Sequence, residues 1–202
     1  MGLLKSIFLL IITMVYTATF SYSEPSIKDK LNALVDGLND PDPIVRIATF
    51  EDTMKLDDAT AKRIALRTAL QSKDSDLRAL ALRGALVGRN LIAFTLSAEN
   101  EKEPNEKSQQ FLKNYSNNIP IQIEKYDFKT GILTGFCMTN LSSPNKNFRV
   151  IGNISGDNLS FNSSCDNEYR NCTLIAKLTD AGHLKGKLYC NGSDVDADLD
   201  LL

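Results

Sequence analysis

The 202-residue chain has no tryptophan and only one histidine, His183. A single imidazole excludes most zinc sites and most acid–base sites, because these usually combine several histidines. The chain also lacks an excess of either charge, since 23 lysines and arginines stand against 25 aspartates and glutamates. The resulting net charge of −2 excludes a strongly basic surface, so we expect no nucleic-acid partner.

Short motifs that mark common enzyme classes are missing as well. The sequence has no GxSxG nucleophile motif, no phosphate-binding P-loop, no dinucleotide-binding glycine pattern and no CxxC pair. We therefore assign no catalytic role to His183 and expect a protein that is not an enzyme and that uses no metal or cofactor. A hydrolase with a pair of carboxylates stays open as the weakest alternative.

A run of aspartates near the end of the chain first suggests a calcium site. Calcium loops need a sharp turn within the carboxylate series, but Gly192 comes before this run. Apolar residues alternate with the carboxylates, which predicts a strand whose acidic face points to solvent. We interpret it as a charged edge strand that resists pairing with other sheets. The aspartates are Asp194, Asp196, Asp198 and Asp200.

The first 23 residues resemble a secretory signal. Lys5 precedes an apolar run from Ile7 to Tyr16, and Ser21-Tyr22-Ser23 supplies the small residues that a signal peptidase recognises. The apolar run is shorter than the roughly 20 residues of a membrane-spanning helix. We expect removal of residues 1–23, no stable membrane insertion afterwards, and a mature protein that is periplasmic or secreted.

Residues 24–98 show helical spacing and are interpreted as a helical region. Apolar residues recur at intervals of three and four from Ile27 to Leu38. Asp42 and Pro43 then predict the N-cap and the first position of a second helix. Residues 99–120 are polar and predict a linker with one or two helical turns near residues 106–114.

The helical region contains an internal repeat. The segment around Arg46 aligns with the segment around Arg78, and an aspartate, Asp42 or Asp74, precedes each arginine by four positions. The pattern D-x-x-V/L-R-x-x-A resembles the short, bacterial type of HEAT-like repeat, over residues 27–90 only. The resemblance implies stacked helical pairs whose arginines form a ladder with aspartates of neighbouring turns. Two repeats are fewer than a stable array needs, so the segment Leu91–Ser97 or the second domain is expected to cap them.

Residues 121–202 are predicted to form an antiparallel β domain, which is either an open meander or a small barrel. Short strands alternate with turn signals, among them Ser155-Gly156-Asp157-Asn158 and Asp180-Ala181-Gly182. The fold class is therefore α+β. The predicted strands cover residues 122–138, bent near Gly131, then 147–155, 158–163, 172–179, 183–190 and 194–201.

All four cysteines lie in the β domain, which in an exported chain favours disulfides. In the predicted register Cys165 faces Cys172, and Cys172 also faces Cys190 across the 180–182 turn. Three connectivities are open. We favour Cys165–Cys172 with Cys137–Cys190, which requires the sheet to curl.

The leading hypothesis for function is an exported protein-interaction module. Its partner is unknown. The candidate contact surface includes five arginines of the helical region: Arg46, Arg63, Arg67, Arg78 and Arg83. The alternative is a β-barrel that carries a small apolar ligand. Its cavity would be lined by Phe128, Ile132, Phe136, Phe148, Val150, Phe161 and Leu188.

Overall fold

A computed structural model describes residues 24–86, 89–98, 106–138, 148–165 and 171–202. The predicted signal segment lies outside the described residues. No helix in the described ranges is long and apolar enough to cross a membrane. Residues 33–202 form one compact unit; residues 24–32, the first described part of the chain, belong to another.

In the described residues, four helices precede the first strand, as the sequence predicts: α1 (Ile27–Leu38), α2 (Pro43–Lys55), α3 (Ala59–Leu70) and α4 (Ser75–Leu86). Aspartate side chains cap three of them. The Asp42 carboxylate accepts the Ile44 N–H at 2.8 Å, as expected for the predicted N-cap. Asp58 caps α3, and Asp74 accepts the N–H of Leu77 at the start of α4.

Eight antiparallel strands in sequential order close into a barrel. They are β1 (Leu91–Ser97), β2 (Asn118–Asp127), β3 (Ile132–Cys137), β4 (Arg149–Ser155), β5 (Asn158–Ser163), β6 (Cys172–Leu178), β7 (His183–Cys190) and β8 (Ser193–Asp200). Gly131 sits at the predicted bend with φ 74°, and a Cβ there would lie 2.3 Å from the Ile154 carbonyl oxygen. Glycine is therefore required where β2 turns into β3.

Two predicted boundaries differ from the structure. The segment Leu91–Ser97 is a strand of the barrel and not the end of the helical region. A short apolar run looks the same in a buried helix and in a buried strand, so the pattern could not distinguish them. The predicted linker contains the helix α5 (Glu106–Asn114) near the expected position. The last residues of the predicted linker belong to the start of β2.

The strand β8 is not an edge strand. Its aspartate face points outward as predicted, but β8 pairs with β7 on one side and with β1 on the other. The missed β1 explains the error, because without it the last strand of the sheet has no second neighbour. Asp194 and Asp198 instead lie beside Lys187 and Lys185 of β7, each at 3.2 Å.

The barrel interior is packed with side chains. Phe94 of β1 and Phe161 of β5 come from opposite sides of an eight-strand barrel, yet their rings meet edge to face with centroids 5.9 Å apart. Both are buried. Two residues predicted to line a ligand cavity, Phe128 and Ile132, lie on the outside instead, with exposed fractions of 40% and 47%. The predicted alternation fails at β3 because its buried face carries Leu133 rather than Ile132.

The favoured disulfide connectivity is wrong. Cys137 is bonded to Cys165, with Cα atoms 5.0 Å apart, and Cys172 is bonded to Cys190, at 4.3 Å. The register places Ser163, not Cys165, opposite Cys172 across β5 and β6. The sequence had indicated the second pair as a neighbour across the β6–β7 turn. All four cysteines are disulfide-bonded, as predicted.

Candidate partner-binding surface

The five predicted arginines divide into three that are bound within the protein and two that are exposed. Arg46 belongs to the first group. Its Nε donates to the Asp74 carboxylate at 3.0 Å, and its Nη1 donates to the carbonyls of Asp40 at 2.6 Å and Pro41 at 3.0 Å. Arg46 therefore links the loop before α2 to the loop before α4. This bond lowers the pKa of Asp74 below the usual aspartate value.

Arg78, the second repeat arginine, is also bound, but its partners come from the barrel. Its Nη1 donates to Asp180 at 2.6 Å, and its Nη2 donates to the Leu178 carbonyl at 2.9 Å. Asp157, in the β4–β5 turn, lies 3.4 Å from Nη2. The Arg78 side chain is 11% exposed. Both repeat arginines are therefore structural contacts and offer little surface to a partner.

Arg83 is the third bound arginine. It approaches the Phe128 and Lys129 carbonyls in the β2–β3 turn at 3.5 and 3.4 Å. Arg63 and Arg67, one helical turn apart on α3, are exposed. Thus Arg63 and Arg67 are the two predicted surface arginines that are exposed, whereas Arg83 is half-buried.

An apolar groove lies where the helical array meets the barrel. Its volume is about 370 Å³, and its apolar walls come from α2, α4 and the β2–β3 turn. The residues that line it are Phe50, Glu51, Met54, Lys55, Leu80, Gly84 and Phe128. Phe50 is 2% exposed and forms the floor, while Phe128 is 40% exposed and forms the rim. The groove can hold one or two apolar side chains of a partner.

Gly84 shapes the floor of this groove. A Cβ at this position would lie 3.3 Å from the Phe50 ring and 3.5 Å from a Leu66 methyl group. The absent side chain lets Phe50 pack directly against α4. A glycine inside a helix is unfavourable on its own, so packing against Phe50 gives it a physical reason.

A second cleft lies on the other side of Phe128. It has a volume of about 270 Å³ and runs between the end of α4 and β2. Tyr126 lines it with a hydroxyl group that is buried without a hydrogen-bond partner among the described residues. Burial raises the pKa of Tyr126 to about 12. Phe128 therefore lies between two clefts at the junction of the helices and the barrel.

A larger depression of about 780 Å³ lies at the loops before α2 and α4. The Arg46–Asp74 pair lies in it, together with Asn39, Gln71 and Lys73. Because loop residues and this bound ion pair line much of the depression, it offers less apolar contact than the groove beside Phe128.

The described residues contain no group of three or more side chains that could hold a metal ion. His183 lies on the outer barrel face, where its Nδ1 is 2.9 Å from Asp198. Lys185 contacts the same carboxylate at 3.2 Å, which places this pair within a row of surface ion pairs.

Comparison of the chain with models of known protein families, with curated proteins and with solved structures gave no match. The HEAT-like resemblance therefore stays a prediction.

Sequence reasoning missed the groove because its parts are far apart in the chain. Phe50 and Leu80 belong to two different helices, and the sequence predicts Phe128 as part of a cavity lining in the barrel. The glycine at position 84 was the one signal available, since it interrupts an otherwise good helix.

Proposed function

We propose that this chain is an exported, non-enzymatic protein-interaction module, and that the groove beside Phe128 is its contact site. The proposal rests on the groove itself. It is largely apolar, it is open to solvent, and its rim residue Phe128 is 40% exposed. Partly exposed aromatic side chains beside a cleft are typical anchors of protein–protein contacts.

The packing of the barrel favours this function over a ligand carrier. Phe94 and Phe161 meet across the interior. Helix α4 lies against the turns at one end through Arg78 and Arg83. Helix α5 lies at the other end, where the Ser108 hydroxyl donates to the Asp194 carbonyl at 2.9 Å.

Two disulfides are consistent with the export that we propose, because such bonds persist in oxidising compartments. The resemblance of the helical region to HEAT-like repeats is the second support, since stacked helical pairs of that kind commonly act as binding scaffolds. The charges at the groove are balanced, with Glu51 and Lys55 one turn apart on α2. We therefore expect apolar contact, rather than charge attraction, to provide most of the affinity.

The test uses two matched variants of the full chain. Phe128→Ser removes the rim of the groove, and Ile151→Ser removes an isoleucine that is 60% exposed on the barrel wall. Each immobilised protein is incubated with the exported fraction of the cells that make it. We expect wild type and Ile151→Ser to retain the same protein and Phe128→Ser to lose it. No retained protein, or equal retention by both variants, would contradict the proposal.

A further inference from the structure

Two arginines at the junction of α4 and the barrel bind carbonyl groups and have no carboxylate partner among the described residues. Arg83 approaches the Phe128 and Lys129 carbonyls at 3.5 and 3.4 Å. Arg89, just after α4, donates from Nη2 to the Leu201 carbonyl at 2.8 Å. Both side chains are therefore held in place, but neither positive charge is paired with an anion in the part of the chain that the structure describes.

The two repeat arginines show what is missing at this junction. Arg46 and Arg78 each bind an aspartate side chain. Arg83 and Arg89 are half-buried, so water hydrates their charges only in part. A cation in such a place is stabilised by an anion, and carbonyl dipoles replace that anion incompletely. The junction therefore favours a ligand with negative charge.

Two hydrogen-bond donors at the same junction have no acceptor. Arg83 Nε and the Tyr126 hydroxyl are buried, and neither has a hydrogen-bond partner among the described residues. Burial raises the pKa of Tyr126 to about 12, while the nearby charge of Arg83 lowers it. The hydroxyl therefore keeps its proton at neutral pH and can donate it to an acceptor. Buried donors without acceptors are rare in folded proteins, which indicates that a further group binds here.

The carboxylates of β2 do not supply this acceptor. Asp127 accepts the backbone N–H groups of Lys129 and Thr130 at 2.9 and 3.4 Å, so it stabilises the β2–β3 turn. Glu124 is exposed and forms no ion pair with any described residue. The charged residues that line the cleft are Glu124, Lys125 and Arg89. The cleft thus has one more positive than negative side chain.

This positive cleft and the apolar groove share one wall. The cleft has a volume of about 270 Å³ and the groove about 370 Å³, and Phe128 lines both. A partner segment that places an apolar side chain in the groove therefore brings its neighbouring side chains to the cleft.

We propose that the cleft binds a carboxylate of the partner, next to the apolar side chain that occupies the groove beside Phe128. Arg89 provides positive charge, and Arg83 Nε and the Tyr126 hydroxyl donate hydrogen bonds. A carboxylate fits because it only accepts hydrogen bonds and pairs strongly with arginine. Because both donors are covered in the free protein, the carboxylate reaches them after side chains around Phe128 rearrange. This inference rests on the proposed function and adds that the partner segment carries an aspartate or glutamate.

The experiment uses a small probe that combines both chemistries, 3-phenylpropionate, and its uncharged amide, 3-phenylpropionamide. Binding to the ¹⁵N-labelled protein is followed by NMR at the Arg83 Nε–H group. We expect the acid to shift this signal saturably and to bind about tenfold more tightly than the amide, because the hydrogen bonds to a carboxylate are charge-assisted. Arg89→Gln and Tyr126→Phe should each remove most of this difference. The control Arg63→Gln, an exposed arginine on α3, should preserve it.

Three results would overturn the inference. The first is no saturable shift at Arg83, and the second is equal binding of the acid and the amide. The third is an equal loss of acid binding in Arg63→Gln and Arg89→Gln, which would show attraction to positive charge in general.

Retention of a partner from the exported fraction separates this inference from the proposed function. If Phe128→Ser loses the partner and Arg89→Gln retains it in full, the groove is the contact site and the carboxylate inference is wrong. If 3-phenylpropionate binds as expected but Phe128→Ser retains the partner, the carboxylate site is supported and the groove is not the contact site.

Discussion

Two junctions of the molecule use an arginine at the same repeat position and give it different partners. Between the helical pairs, Arg46 binds one aspartate, Asp74, and the carbonyls of its own loop. Between the array and the barrel, Arg78 reaches Asp180, Asp157 and the Leu178 carbonyl. The barrel turns thus bind Arg78 as the loop before α4 binds Arg46, through aspartate side chains. The same kind of contact therefore joins the two helical pairs to each other and the helices to the barrel.

The two junctions differ in how deeply their arginine and aspartate side chains are buried. The Arg78 side chain is 11% exposed and that of Arg46 is 18% exposed. One carboxylate partner of Arg78, Asp157, is 22% exposed, while the other, Asp180, is 95% exposed and largely hydrated. Loss of the arginine at the barrel junction would leave Asp157 without its cation in a partly buried site.

The largest expected effect is therefore that of Arg78→Met. We expect a loss of about 3 kcal/mol in the free energy of unfolding, since the substitution leaves a partly buried carboxylate and the Leu178 carbonyl without a donor. Urea unfolding of both proteins at neutral pH measures the loss. A change below about 1 kcal/mol would show that the barrel junction depends on apolar packing instead of Arg78.

Arg46→Met tests the other junction and should cost less, about 1–2 kcal/mol, because Asp74, although only 12% exposed, still accepts two backbone N–H groups. Asp74 keeps its backbone donors at the start of α4. The same urea titration provides the value. If Arg46→Met proved more destabilising than Arg78→Met, the proposed order of the two junctions would be reversed.

Acid should weaken the junction between the repeats. The hydrogen bond from Arg46 holds the pKa of Asp74 below its ordinary value of 3.8. A carboxyl group with a lowered folded-state pKa adds stability above its unfolded-state value and loses it as the pH falls through the lowered value. The urea midpoint of wild type should therefore fall below pH 4 by more than that of Asp74→Asn. Equal losses in both proteins would assign the acid sensitivity to other carboxylates.

Alkali should act on the barrel junction, with a smaller effect. Tyr126 has a pKa of about 12 in the folded protein, raised from 10.0 by burial. The unfolded chain therefore releases this proton first, and stability should fall as the pH rises from 10 to 12. Tyr126→Phe keeps the buried ring and lacks the ionisable group. The Tyr126→Phe variant should lose less stability than wild type between pH 10 and pH 12. An identical loss in both proteins would show that Tyr126 does not cause the alkaline loss of stability.

Local patterns predicted much of the fold and little of the site. The cap at Asp42, the helix near residues 106–114 and the strand pairs from β4 to β8 follow from spacing and turn chemistry. The strand β1 pairs with β8, far along the chain, and the disulfide Cys137–Cys165 joins β3 to the segment after β5. A local pattern holds no information about contacts between such distant segments, so both features were missed.

The arginines show the same limit on a smaller scale. The HEAT-like resemblance implies that Arg46 and Arg78 each bind an aspartate, and each of the two has such a partner in the structure. For Arg78, however, the aspartates Asp157 and Asp180 come from barrel turns far along the chain. The groove beside Phe128 depends on the same long-range contact between α4 and the β2–β3 turn. Such contacts become visible only in the folded chain.

We expect the barrel to complete the core of the helical region, so that residues 33–202 unfold as one unit. The sequence supplies separate probes, because no tyrosine occurs between residues 24 and 90. In a chain that starts at residue 24, tyrosine fluorescence therefore reports on residues 115–189, and circular dichroism at 222 nm reports mainly on the helices. In a urea titration of wild type, we predict that the two transitions coincide. A helical transition at clearly lower urea, with tyrosine fluorescence still native, would contradict the claim.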